Sequence, residues 1–185
     1  YFSHWPDPAG TSYAETLGAY DKLLKAGKIG SIGVSNVDAT QLTEALAVSK
    51  REGLPAYQVL QPEYNLYARS SYDGALRDLA IREGLGVVTY FSLASGFLTG
   101  KYRSAEDFGK SARGGGMAKY LDARGAAILA ALDQVALRHS AQPGEVALAW
   151  LIAQEGVTAP IASATKVGHV ASFARAAALK LSDQD

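Results

Sequence analysis

Short apolar runs along the chain separate longer stretches in which apolar positions return every three or four residues. The runs lie at 31–35, 57–61, 85–91 and 160–162, with a shorter one before His4. They read as strands of a parallel sheet, covered on both faces. Between them Leu17, Tyr20 and Leu24 fall at i, i+3 and i+7, and Leu42, Ala45, Leu46 and Ser49 repeat that face, the stripe of an amphipathic helix. Local signals agree with the periodicity. Ser12 followed by Glu15 and Asp38 followed by Gln41 each fit a capping box, and Gly27 stands where the first helix should stop. Strand and helix alternate with short connections, which predicts β-α units laid side by side in one parallel sheet.

The regularity breaks after the fourth run. Residues 93–120 contain glycine and serine, including Gly114-Gly115-Gly116, and are followed by helical patterns at 126–138 and 143–154. A connection of that length predicts a functional or mobile loop. About five strands and six helices are therefore expected. A (β/α)8 barrel closes with eight strands in about 250 residues, so five strands cannot close one. The chain opens on a strand without an initiator Met, and it is expected to be a piece of something longer.

Composition narrows the classes. Lys plus Arg and Asp plus Glu each total 18, the net charge is zero, and like charges never cluster, which argues against a nucleic-acid partner or an anionic membrane surface. With 48% hydrophobic and 19% charged residues the 185-residue chain can bury a core of its own. No apolar run approaches the roughly 18 residues of a membrane span, and the first residues lack the pattern of a signal peptide. Cysteine is absent, which removes disulfides, thiolate metal sites and thiol nucleophiles and is compatible with the reducing cytoplasm, the expected location.

Several familiar motifs fail on inspection. Gly96-Phe97-Leu98-Thr99-Gly100-Lys101-Tyr102 has one residue too few between its glycines for a phosphate loop, and Tyr stands where Ser or Thr must bind Mg²⁺. Neither Ser35 nor Ser95 sits in G-x-S-x-G. His4, His139 and His169 show no zinc spacing. What remains is a set of polar residues just after the strands: His4, Ser35, Asn36, Gln61, Tyr90, Ser163, Thr165 and Lys166. In a parallel α/β structure the carboxyl ends of the strands share one side, so these groups should converge. Singly, each reads as well as a turn, a cap or a core aromatic. Trp150 reads as core, and His139, at the end of a helical pattern, as exposed.

His4-Trp5-Pro6-Asp7, Ile32-Gly33-Val34-Ser35-Asn36 after Ala26-Gly27-Lys28-Ile29, Gln61-Pro62-Glu63-Tyr64-Asn65-Leu66, Leu98-Thr99-Gly100-Lys101-Tyr102 and Val146-Ala147-Leu148-Ala149-Trp150-Leu151 together resemble the aldo-keto reductases, in order and over nearly the whole chain. The resemblance implies an α/β fold, a (β/α)8 TIM barrel of which residues 1–185 would supply about five β-α units, from the fourth strand to the eighth helix. The first three units would lie upstream. It implies reduction of aldehyde or ketone carbonyls by hydride from NADP(H), with NADPH preferred over NADH. In the family a Tyr acid, tuned by a Lys–Asp pair, works beside a His that orients the carbonyl; here only the His has a counterpart, His4, so the isolated chain is expected to be inactive.

By the same resemblance Ser35, Asn36 and Gln61 would hold the nicotinamide carboxamide, and Tyr90 would stack on the ring. Ser92, Leu93 and Gly96 would wrap the pyrophosphate; Tyr90-Phe91-Ser92-Leu93 departs from the more common aromatic followed by Ser-Pro-Leu, which limits Phe91 to main-chain contacts. Lys101 and Arg113 would close over the dinucleotide. Ser163, Thr165 and Lys166 would meet the adenosine 2'-phosphate, joined by His169 where many relatives carry Gln or Arg, while Phe173 replaces a frequent Asn. Trp5, Tyr64 and the loop around 114–120 would wall the substrate, a small carbonyl compound whose identity is not readable. Two alternatives stand beside the reductase: a non-catalytic module that binds a nicotinamide nucleotide, as potassium-channel β-subunits of the superfamily do, and a structural fragment that self-associates through open sheet edges.

Overall fold

A computed structural model describes residues 1–185. Five strands stand in chain order in one sheet: β1 (Phe2–Ser3), β2 (Gly33–Ser35), β3 (Val59–Gln61), β4 (Gly86–Thr89) and β5 (Ala159–Pro160). The β1–β2, β2–β3 and β3–β4 pairs are parallel, with Ser3 beside Val34, Ser35 beside Gln61 and Leu60 beside Val87. Helices α1 (Tyr13–Lys25), α2 (Ala39–Glu52), α3 (Ala75–Arg82), α4 (Ala123–Arg138), α5 (Pro143–Ala153) and α6 (Val167–Ala178) alternate with them, the α/β arrangement of part of a parallel barrel. No helix is long and apolar enough to cross a membrane.

The chain divides into two compact units. The first comprises Tyr1–Pro62 and Ser70–Val88. Both expected capping boxes are present, Ser12 with Glu15 on α1 and Asp38 with Gln41 on α2. Gly27, at φ +66°, turns the chain out of α1. The buried face of α2 is Leu42, Ala45, Val48 and Ser49; Val48 takes the place expected of Leu46, which is half-buried. Double coverage holds for β2 alone, whose three residues are all buried. In β3 and β4 buried and half-buried residues alternate, the period of a strand with one face covered, and Phe2 at the sheet edge is partly exposed. The Phe2 ring nevertheless lies against Gly33, where a Cβ would come within 2.5 Å of it.

The second unit comprises Glu63–Arg69 and Thr89–Asp185. Its long connection is ordered into short 3-10 turns at Ala94–Thr99, Ala105–Lys110, Gly114–Gly116 and Ala118–Tyr120. Apolar side chains at the turns explain why it is no bare loop. Phe97, Leu98, Tyr102, Met117 and Tyr120 are buried with Leu129, Leu132 and Val135 of α4 and Val146 of α5. Arg103 adds a two-pronged contact, Nη1 and Nη2 donating to Asp133 at 2.8 and 2.7 Å. Glu145 on α5 is 2% exposed and accepts from Ser172 Oγ (2.8 Å) and from Arg175 Nε and Nη2 (2.9 and 2.6 Å), fastening α6, in which only Ala176 is buried. Burial pushes the Glu145 pKa up, but the donors from Arg175, the Gln142 N–H and Ser172 outweigh it and hold the carboxyl below its ordinary range. Two expectations change here. Trp150 is half-buried because it packs on Tyr64 at 5.5 Å with the Arg69 guanidinium over its outer face at 5.3 Å. His139 is not freely solvated: its Nε2 lies 3.0 Å from Asp185 Oδ2.

Candidate functional site

The residues expected to bear chemistry fall into two groups, one in each unit. In the first unit, β2 ends in Ser35, fully buried, and the chain turns at Asn36, which adopts a left-handed φ of +57°. Asn is among the few side chains that tolerate this region. The turn lets Asn36 Nδ2 donate to the His4 main-chain oxygen at 2.7 Å and to Ser35 Oγ at 3.1 Å, and Ser35 Oγ donates to the Gln61 main-chain oxygen at 2.6 Å. One hydrogen-bonded network, diverging from the Asn36 amide, thus joins the ends of β1, β2 and β3. Its effect is to divide the residues by role. Ser35 spends its hydroxyl proton inside the protein, whereas the half-buried Gln61 side-chain amide has no partner in the chain and offers both a donor and an acceptor. His4 is exposed, and its ring lies 5.9 Å from that of Trp5, itself 64% exposed.

In the second unit Tyr90 follows β4. Its main-chain oxygen accepts from Tyr64 N at 3.4 Å and its ring meets Phe91 edge-on at 5.2 Å. Burial, then the charge of Glu63, raises the Tyr90 pKa, so the phenol stays protonated at neutral pH. The next residues form an unusual turn: Phe91, Ala94, Ser95 and Gly96 all have positive φ, at +50°, +47°, +58° and +99°. Left-handed backbone costs a non-glycine residue about 1–2 kcal/mol, so three such residues in a row of five store real strain. Ser92 Oγ turns inward to the Thr89 main-chain oxygen at 2.9 Å, while the Leu93 N–H has no acceptor within the chain. Lys101 Nζ sits 4.9 Å above the Tyr102 ring, with its Cε and Nζ beside Gly96. Arg113 is exposed and its guanidinium has no partner in the chain. Ser163, Thr165 and Lys166 are exposed ahead of α6, and His169 Nδ1 accepts the Thr165 N–H at 3.2 Å, which leaves Nε2 as the protonated nitrogen of the neutral ring. A hollow of about 240 Å³ beside Phe97, Leu129 and the Arg103–Asp133 pair touches none of these residues.

Comparison with known proteins places the chain as a whole. The model of the aldo/keto reductase family matches residues 1–185. The chain belongs to the aldo/keto reductase family.

Among curated aldo-keto reductases it is 31% identical to aldo-keto reductase str7 of Strobilurus tenacellus, over all of this chain and 54% of that protein. It is 30% identical to aldo-keto reductase yakc [NADP(+)] of Schizosaccharomyces pombe, over 94% of this chain and 51% of the relative. A probable voltage-gated potassium channel subunit beta of Oryza sativa subsp. japonica is 41% identical over 55% of this chain and 30% of its own length. The chain spans about half the length of the full-coverage relatives it matches.

One residue of this aldo-keto reductase chain escaped sequence reasoning. Asn65 is 1% exposed, and its side chain donates to the Phe91 main-chain oxygen at 3.0 Å. It stood in the motif Tyr64-Asn65, but no periodicity could have paired it with a carbonyl 26 positions away.

Proposed function

We propose that the protein carrying this chain is an NADPH-dependent oxidoreductase that reduces aldehyde or ketone carbonyls to alcohols. The observation that carries the reading is the hydrogen-bonded network joining His4, Asn36, Ser35 and Gln61 in a member of an oxidoreductase family, which leaves an unpaired carboxamide at the end of β3 and an exposed imidazole after β1. These groups fit the nicotinamide end of the cofactor. Asn36 and the Gln61 amide would hold its carboxamide, with the Ser35 hydroxyl linking the Asn36 side chain to the Gln61 main chain, and Tyr90 would stack on the ring. The main chain at Ser92, Leu93 and Gly96 would meet the diphosphate, Lys101 and Arg113 would add charge, and Ser163, Thr165, Lys166 and the Nε2–H of His169 would take the 2'-phosphate. When bound, the cofactor supplies a hydride to the carbonyl carbon. His4 would donate a hydrogen bond to the carbonyl oxygen and orient it, while the acid that delivers the proton is assigned to residues outside this chain. A cytoplasmic location suits a cysteine-free reductase.

The test is NADPH oxidation by the protein at its native length against a panel of small aldehydes and ketones, with NADPH binding followed by fluorescence. Turnover is expected, and Gln61→Ala should weaken NADPH binding about tenfold, the loss of one or two hydrogen bonds. Absence of both binding and turnover would overturn the reading. The identity to the potassium-channel subunit favours one second reading, a nucleotide-binding regulatory module, which binding without turnover would support.

A further inference from the structure

We infer that Asn65 is a positioning residue for the dinucleotide: it holds the left-handed turn at Phe91 open so that the main chain beyond can receive a diphosphate. The inference rests on the cofactor reading above.

Glu63 and Tyr90 form an isolated parallel bridge, and Tyr64 N donates to Tyr90 O at 3.4 Å. One residue further along, the main-chain ladder cannot continue, because Phe91 leaves the extended region for φ +50°. The Asn65 side chain takes over at that point: Nδ2 donates to Phe91 O, and Oδ1 accepts from Tyr67 N at 2.9 Å and Ala68 N at 2.8 Å. Those two acceptor contacts fix the amide so that its nitrogen faces Phe91. The Phe91 oxygen also accepts from Ala94 N at 2.6 Å, which starts the second left-handed stretch, Ala94 to Gly96. A non-glycine residue remains in this region only when its surroundings over-determine it. At Phe91, which is 45% exposed, the ring supplies little of that constraint, so the Asn65 amide is its main source. Two residues on, the Leu93 N–H has no acceptor in the chain, and main-chain N–H groups exposed in such a turn line an anion-binding concavity.

The decisive variant is Asn65→Asp in the full-length protein. It preserves shape and the acceptor for Tyr67 and Ala68 but sets a carboxylate oxygen against the Phe91 oxygen. We expect NADPH KM to rise at least tenfold with kcat at saturating NADPH within twofold of wild type. Inorganic diphosphate, used as a competitor against NADPH, should lose affinity in parallel, whereas Gln61→Ala should raise NADPH KM and leave the diphosphate inhibition constant unchanged. Adding Phe91→Gly to Asn65→Asp should restore most of the NADPH affinity, because glycine adopts positive φ without support; this double variant also serves if Asn65→Asp alone folds poorly. Unaltered NADPH KM and diphosphate inhibition in Asn65→Asp, or a double variant no better than the single one, would overturn the inference while the reductase reading stood. A wild-type protein that binds no NADPH would overturn that reading, and this inference with it.

Discussion

The same substitution, glycine to alanine inside a helix, should stabilise the protein at one position and destabilise it at another. Gly18 lies within α1, and a Cβ there would meet nothing within 4 Å. Gly125 lies in the first turn of α4, and a Cβ there would come 1.8 Å from the Tyr120 main-chain oxygen and 3.0 Å from the Phe97 ring. Alanine gains about 0.5–1 kcal/mol over glycine in a helix, mostly by restricting the unfolded chain. At Gly18 nothing opposes that gain. At Gly125 the Tyr120 carbonyl would have to retreat by more than about 1 Å, since real Cβ contacts do not fall below 3.0 Å. Tyr120 has little room to move: its N–H donates to Met117 O, and its ring stacks on Phe97 at 5.0 Å and meets Tyr67 edge-on at 4.9 Å. Overpacking of this kind costs about 1–3 kcal/mol, which outweighs the helix gain. Urea unfolding followed by tryptophan fluorescence should therefore place Gly18→Ala above wild type by about 0.5–1 kcal/mol and Gly125→Ala below it by about 1–2 kcal/mol. A neutral or stabilising Gly125→Ala would refute the close approach of the α4 entrance to Tyr120.

Glu145→Gln should cost about 1–3 kcal/mol at neutral pH, because a charged acceptor is lost and the new amide faces the Gln142 N–H, and the cost should shrink on acidification. The sign follows from the lowered pKa: the stabilisation by Glu145 is complete above the ordinary value of 4.5 and disappears as pH falls through the lower folded value, so unfolding curves of the two proteins should converge in acid. Asp107 is held at about 2 by Lys110 and by the N–H groups of Arg103 and Ser104, so the turn at Ala105–Lys110 should keep its cap at pH 4 and lose it as pH falls from 3.8 towards 2; chemical-shift titration of the carboxyl would detect it, and an ordinary midpoint would contradict the capped geometry. Arg103→Lys should loosen the same connection, since an ammonium cannot reproduce the paired contact with Asp133, and proteolysis within 104–112 should quicken relative to wild type.

What the sequence displayed well was local. The Ser12–Glu15 and Asp38–Gln41 boxes are pairs three residues apart, and the apolar stripes of α1 and α2 repeat within a turn, so spacing alone revealed them. The five strands were found in their places but read as longer than they are, because the apolar run continues beyond the few residues that pair. The polar residues at the strand ends were singled out, yet their division of labour was not. That Ser35 donates to Gln61 O while the Gln61 amide remains unpaired depends on a contact across 26 residues. Asn65 to Phe91, Arg103 to Asp133 and Arg175 to Glu145 are equally distant in sequence, spanning 26, 30 and 30 residues, and no spacing rule announces them. The stretch holding the glycines at 114–116 read as a functional or mobile loop, and its 3-10 turns went unseen because the aromatic residues around them, Tyr102, Phe108 and Tyr120, carry no periodicity.

The hydrogen-bonded chain through Asn36 and Ser35 also bears on how the sheet finds its correct pairing. Short parallel strands rich in small and aliphatic residues, such as Gly33-Val34 against Val59-Leu60, offer little to penalise a slide of one strand past another. The polar links penalise it strongly: displacing β2 by two positions against β3 would carry the Ser35 hydroxyl away from Gln61 O and strand it, unpaired, in a buried place. Asn36 extends the same penalty to the segment ending at His4. A mispaired intermediate is thereby marked as costly, so the two polar side chains at the end of β2 proofread the register in which the sheet assembles.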